Sequence, residues 1–167
     1  MKDIQGLQFH THGLFGLEIL RRMYITESGL TSAPLISSTC DELEQLDLRR
    51  NKLESLPEDY FTNCSSLYMV NLGENMLASL PDFKPIASSL AALLLTGNAL
   101  TSCGRICETH LPKLQDMSMA QNELTYFDFN AADLWPIIQN IMINHNRLKT
   151  IDNLTAVQLI NKTRYET

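Results

Sequence analysis

Residues 43–53 read LEQLDLRRNKL, and the same eleven-residue phrase returns four times downstream. It reads LYMVNLGENML from Leu67, LAALLLTGNAL from Leu90, LQDMSMAQNEL from Leu114 and IQNIMINHNRL from Ile138. Successive first positions are 24, 23, 24 and 24 residues apart. Periodicity within a single helix or strand repeats on a far shorter scale, so this is a stack of similar structural units. Two looser versions lie upstream. LRRMYITESGL from Leu20 has Ser28 in the Asn place, and IQGLQFHTHGL from Ile4 has His12 there, only 16 residues before the next start. The expectation is one domain over residues 1–167 with about seven repeats, starting near Ile4, Leu20, Leu43, Leu67, Leu90, Leu114 and Ile138.

Each position of the phrase has a physical task. Apolar residues alternate along the first part, as in Leu46 and Leu48. One face of a short strand therefore enters a core, while Gln45, Asp47 and Arg49 are expected to face solvent. Strands of successive turns then pair in parallel. After each strand the chain turns sharply and leaves backbone donors and acceptors inside, where an unsatisfied group costs about 1–3 kcal/mol. An amide side chain supplies both donors and an acceptor. Asn51, Asn75, Asn98, Asn122 and Asn146 are therefore expected to stack as a structural ladder. Two further columns read as core: Leu56, Leu80, Cys103, Phe127 and Ile151, five residues after each Asn, and Cys40, Cys64, Ala87, Leu111 and Trp135, three before each first Leu.

The phrase, its period and the segment LPEDYFTNCSSL (56–67) resemble the typical class of leucine-rich repeat, found mostly in extracellular and receptor proteins such as Toll-like receptors, adhesion proteins and invertebrate immune proteins. The resemblance covers nearly the whole chain. It implies an α/β solenoid, a horseshoe with a concave parallel β-sheet and a mostly irregular or short-helical convex side, binding ligands through exposed strand residues. Family membership does not name the ligand. The sequence shows no cysteine-rich cap at either end, and a solenoid needs capping turns, so a fragment, a truncated gene or association with another chain is expected.

Placing exposed strand positions side by side gives a middle column of Gln8, Tyr24, Asp47, Asn71, Leu94, Ser118 and Met142. Beside it run Gly6, Arg22, Gln45, Met69, Ala92, Asp116 and Asn140. Tyr24, Tyr68, Met69, Leu94 and Met142 are the apolar residues expected to point at solvent, either as a contact patch or as scattered exposed residues with no special role. Arg22, Arg49 and Arg50 flank it and are expected to pair with acidic groups on a partner.

The rest of the composition narrows the class of partner. Apolar content is 44% and charged content 19%, ordinary for a folded chain, and the formal net charge is −6 with no basic run to track a phosphate backbone. A protein partner is expected, and nucleic acid is not. No apolar run approaches the ~20 residues a bilayer requires, and residues 1–12 carry no secretory signal pattern. No motif for nucleophilic, phosphate-binding or zinc-hydrolase chemistry occurs, and His10, His12, His110 and His145 are scattered, with His10 and His145 read at exposed strand positions. A catalytic role, a metal and a cofactor are therefore not expected.

Cys40 and Cys64 share one column in adjacent turns, close enough for a disulfide, but the other occupants of that column favour two buried thiols. Cys103 and Cys107 could form a local disulfide or, with His110, part of a metal site, although a structural zinc wants a fourth ligand that is missing. Acceptor triplets for N-glycosylation occur at Asn63, Asn153 and Asn161, all off the strands. They lean the compartment toward the cell exterior, as part of a receptor, adhesion or immune protein. The alternative is an intracellular scaffold or regulatory subunit with reduced cysteines and unused triplets.

Overall fold

A computed structural model describes residues 19–36, 40–128 and 133–152. The repeat expected near Ile4 lies outside them. Each remaining phrase supplies one strand: β1 (Arg22–Tyr24), β2 (Gln45–Asp47), β3 (Met69–Asn71), β4 (Ala92–Leu94), β5 (Asp116–Ser118) and β7 (Asn140–Met142). They form one six-stranded parallel sheet in the order β1-β2-β3-β4-β5-β7. The register follows the repeat: Arg22 pairs with Gln45, Gln45 with Met69, Met69 with Ala92, Ala92 with Asp116 and Asp116 with Asn140. Two further strands, β6 (Tyr126–Asp128) and β8 (Thr150–Asp152), pair in parallel as a small second sheet.

The strands are only three residues long, but their hydrogen bonding continues into the turn. Leu48, Leu72, Leu95 and Met119 donate backbone N–H groups to Asn71, Leu94, Ser118 and Met142 at 2.7–2.8 Å. Two residues on, Arg50, Glu74, Gly97 and Gln121 donate to Gly73, Thr96, Ala120 and Asn144. Backbone pairing between turns therefore outlasts regular strand geometry, and the interior meets few unpaired amides.

The central strand residues Met23, Leu46, Val70, Leu93, Met117 and Ile141 form one buried row, and Leu48, Leu72, Leu95, Met119 and Ile143 a second. Opposite the sheet, the returning segments bury Phe61 beside Phe83, their rings 5.3 Å apart, and Phe127 near Trp135 at 6.4 Å. The Trp135 indole N–H reaches the Thr109 carbonyl at 3.3 Å. Tyr60 is buried with its hydroxyl on the Pro34 carbonyl at 2.9 Å, and burial raises its pKa above the ordinary phenol value. The return side carries short 3-10 helices, among them Lys84–Ile86 and Gly104–Glu108, and no α-helix among the described residues. The return side is thus mostly irregular with short helical turns, as the resemblance implies.

The asparagine ladder forms as the phrase requires. Asn75 Nδ2 donates to the Leu48 and Leu72 carbonyls, both at 3.0 Å, while its Oδ1 accepts from Leu53 N. Asn98, Asn122 and Asn146 repeat the arrangement one turn later each. Asn51 Oδ1 accepts from both Ser28 and Leu30 amides. Ser28, in the ladder position of the first described turn, donates its hydroxyl to the Thr26 carbonyl. Immediately before each ladder position sits a residue with positive φ: Glu27, Arg50, Glu74, Gly97, Gln121 and His145, between 52° and 71°. This conformation costs a non-glycine residue about 1 kcal/mol or more, and the bonds that the following amide gains offset it.

Candidate functional site

The exposed face of the sheet is built from the first and third residues of every strand, and only part of it is as open as alternation implies. Tyr24 is 55% exposed, Tyr68 38% and Met142 40%, whereas Met69 and Leu94 are half-buried. Asp47, Asn71 and Ser118, expected at solvent, are 8%, 8% and 2% exposed. Their side chains are short and curl onto neighbouring groups. Asp47 Oδ1 accepts from Arg49 N and Asn71 Oδ1 from Gly73 N, each at 3.1 Å, and Ser118 Oγ lies 2.5 Å from Thr96 Oγ1.

These short residues leave a trough of about 380 Å³ along the turn edge of the sheet. Asn71, Ser118, Gly73, Thr96 and Ala120 line it, with Leu94 among them. Arg49 and Glu74 lie toward the β2–β3 side, Met142 and Asn144 toward β7. Gly73 keeps the trough low: a Cβ there would fall 3.2 Å from the Thr96 carbonyl oxygen and 3.3 Å from Asn71 Oδ1. The run of Gly73, Thr96 and Ala120 two residues beyond three successive strands was present in the repeat alignment as a sequence signal.

On the β1–β3 side stands a ledge of two tyrosines. The Tyr24 hydroxyl donates to Gln45 Oε1, and Gln45 Nε2 donates to the Tyr68 hydroxyl. The chain holds both rings before any partner arrives, which lowers the entropy lost on binding.

The arginines behave differently from expectation. Arg22 is exposed on β1. Arg49 pairs with Asp47 at 3.5 Å. Arg50 lies between Glu27 at 2.7 Å and Glu74 at 3.0 Å, and the hydrogen bonds to these carboxylates raise its pKa. It is therefore committed within the chain and not held out to a partner. The reason is its place in the positive-φ column, where Glu27, Arg50 and Glu74 follow one another turn by turn. His145 belongs to the same column and sits in a turn, not at an exposed strand position. His10 and His12 lie outside the described residues.

The expectation of buried free thiols is overturned. Cys40 and Cys64 are buried as expected, 1% and 0% exposed, but bonded to each other, because one column in adjacent turns brings their Cα atoms to 4.4 Å. Cys103 and Cys107 are bonded as well, with Cα atoms 5.8 Å apart. Their sulfurs are thereby taken out of any metal site with His110. Asn63 is exposed on the return side, away from the trough. Asn153 and Asn161 lie outside the described residues. No helix among the described residues is long and apolar enough to cross a membrane.

Comparison with known proteins gives a consistent family. The family described as "Leucine rich repeat" matches residues 41–86. The chain is 33% identical to bovine osteomodulin over 109 residues, 28% to Drosophila melanogaster chaoptin over 102, and 28% to mouse Toll-like receptor 6 over 140. These stretches are 64%, 60% and 80% of this chain but only 25%, 8% and 17% of the relatives, so the chain spans a quarter or less of their length. Among solved structures, the Leptospira interrogans LRR protein LIC12759 superposes with a TM-score of 0.63 at 31% identity, covering 74% of this chain and 31% of that one. The TLR13–ssRNA13 complex superposes with a TM-score of 0.60 at 23% identity over 77% of this chain and 17% of that one, a likeness of fold.

Proposed function

The chain belongs to the leucine-rich repeat superfamily, with repeats of the receptor type, and from that premise we propose that it is a recognition module binding a protein on the concave face of its sheet. The observation that carries this reading is the juxtaposition of a low, mostly apolar trough with a fixed tyrosine ledge. Tyrosines held in place are effective anchors at protein interfaces, and a low, mostly apolar trough suits a protruding loop that brings an apolar side chain to it.

A protein suits this face better than a polyanion. The net charge is −6, and Arg49 and Arg50 already face carboxylates of the chain itself. A phosphate backbone would find no unpaired basic stripe there. The same fold occurs in a complex with ssRNA13, so this preference rests on the charges of this chain and not on its architecture. The fold and family are those of protein-binding modules, and no reaction is proposed for it.

We place the module outside the cell, as part of a receptor, adhesion or immune protein. Both cysteine pairs bonded within the chain support that compartment, since a reducing cytosol keeps thiols free. An intracellular scaffold would need those pairs open.

The test uses immobilised chain exposed to a panel of extracellular domains, with two neighbouring substitutions. Leu94→Asp is expected to abolish capture while leaving the thermal melt near that of the parent, because the side chain lines the trough at half burial. Leu95→Asp is expected to unfold the turn, since its side chain is fully buried and an unpaired charge there costs several kcal/mol. Undiminished capture by folded Leu94→Asp would remove the trough from the binding surface.

A further inference from the structure

We propose that Asn63 is an N-glycan acceptor whose occupancy is set by competition with the Cys40–Cys64 disulfide, the closing of that bond ending the reactivity of the site. The proposal rests on maturation in the secretory lumen and on the geometry of one tripeptide, Asn63–Cys64–Ser65. Its outer residues are exposed, while the middle one is completely buried and bonded to Cys40. Asn63 has a φ of 66°. Thr62 N–H is bonded to the Asp59 carbonyl, Cys64 N–H to the Phe61 carbonyl and Leu67 N–H to the Cys64 carbonyl, a run of tight turns anchored by the buried Phe61 and Leu67.

Glycan transfer needs the opposite shape. Asn63 Nδ2 would attack the anomeric carbon of a lipid-linked oligosaccharide pyrophosphate. A C–N bond forms, the C–O bond to the pyrophosphate breaks, the lipid pyrophosphate leaves, and the amide proton passes to a base of the transferase. The asparagine and the hydroxyl two residues on must enter one cleft together, so the triplet has to lie open and extended. Once Cys64 is pinned in the core, the triplet cannot straighten.

The competing reaction joins the two thiols. Cys40 and Cys64 give up two protons and two electrons to the disulfide of an oxidoreductase, which departs as a dithiol. Cys40 precedes Cys64 by 24 residues, so the bonding partner is already in place when the acceptor triplet emerges. The two events are asymmetric. A glycan attached first projects from an exposed position and leaves the sulfur free to bond later, whereas a disulfide formed first closes the acceptor.

The experiment expresses the full chain in a secreting eukaryotic host, with a supplied signal peptide and an added C-terminal acceptor triplet that reports entry into the lumen. Occupancy of the Asn63 peptide is read by mass spectrometry on secreted and retained protein together. The parent chain is expected to be a mixture of occupied and bare forms. Cys40→Ser, and dithiothreitol added during synthesis, are expected to shift it toward full occupancy. The pair Cys103→Ser and Cys107→Ser, which breaks the other disulfide, should leave it unchanged. A fully occupied parent, or the same mixture in Cys40→Ser, would overturn the competition. A bare Asn63 in every variant beside an occupied added triplet would overturn the acceptor itself. Neither result bears on partner binding, because the trough lies on the opposite face.

Discussion

Asn122 holds four backbone groups at once, donating to the Leu95, Met119 and Ala120 carbonyls and accepting from the Leu100 amide. It is 7% exposed, so no water replaces these bonds when the side chain is cut back. Asn122→Ala is therefore expected to lower stability by roughly 3 kcal/mol in denaturant unfolding, since each buried orphan costs about 1–3 kcal/mol. Asn98 makes three of the four equivalent bonds, without one to the carbonyl two residues back, and is half-buried, so Asn98→Ala should cost less. Equal losses at the two positions would show that neither burial nor the fourth bond sets the cost. Arg50 is the contrasting residue. Its two carboxylate partners are as exposed as it is, and surface pairs of that kind add little stability, so its pairing removes a free charge from this face without doing much to hold the fold.

At the scale of elements, the unit is one turn of about 24 residues, and the two disulfides act on it differently. Cys40–Cys64 spans a whole turn, sequence separation 24, whereas Cys103–Cys107 closes a separation of 4 inside one return segment. Constraint of the unfolded chain grows with loop size, and the longer loop contributes on the order of 3 kcal/mol. The Cys40→Ser, Cys64→Ser pair should therefore melt well below the Cys103→Ser, Cys107→Ser pair in parallel calorimetry. The reverse order would mean that the short bond shapes the return segment more than the long one constrains the chain. The paired Phe61 and Phe83 have a related effect, linking adjacent return segments through ring contact where no strand pairs them.

Across the whole molecule each turn touches chiefly its two neighbours, so stability is shared along a line and not through one centre. Hydrogen exchange should show this as a gradient. Amides that bridge central turns, such as Leu72 to Leu94 and Leu95 to Ser118, are expected to exchange more slowly than Ile25, which bridges β1 to Asp47. Uniform protection would indicate that the solenoid opens as a single unit. The linear build also explains how a binding face arises without a dedicated loop. The small residues of three successive turns align because the register repeats, and the trough is the sum of Gly73, Thr96 and Ala120.

The sequence by itself determined the repeat, the strand register, the buried rows and the role of the five asparagines. These follow from local pattern: a short strand needs alternation, and a tight turn with buried amides needs a side chain that both donates and accepts. The tertiary structure alone decided the fate of residues whose surroundings lie one turn away in space and some two dozen residues away in sequence. Ser118 is covered by Thr96 of the preceding turn, whereas Asp47 and Asn71 settle onto amides two residues on in their own turns, a local contact that alternation within one strand does not reveal. Arg50 is paired because its column places carboxylates on both sides, and Cys40 meets Cys64 because one column in adjacent turns is a contact distance. A periodic sequence fixes where the backbone goes, but the exposure and pairing of a side chain depend on what its neighbouring turns place beside it.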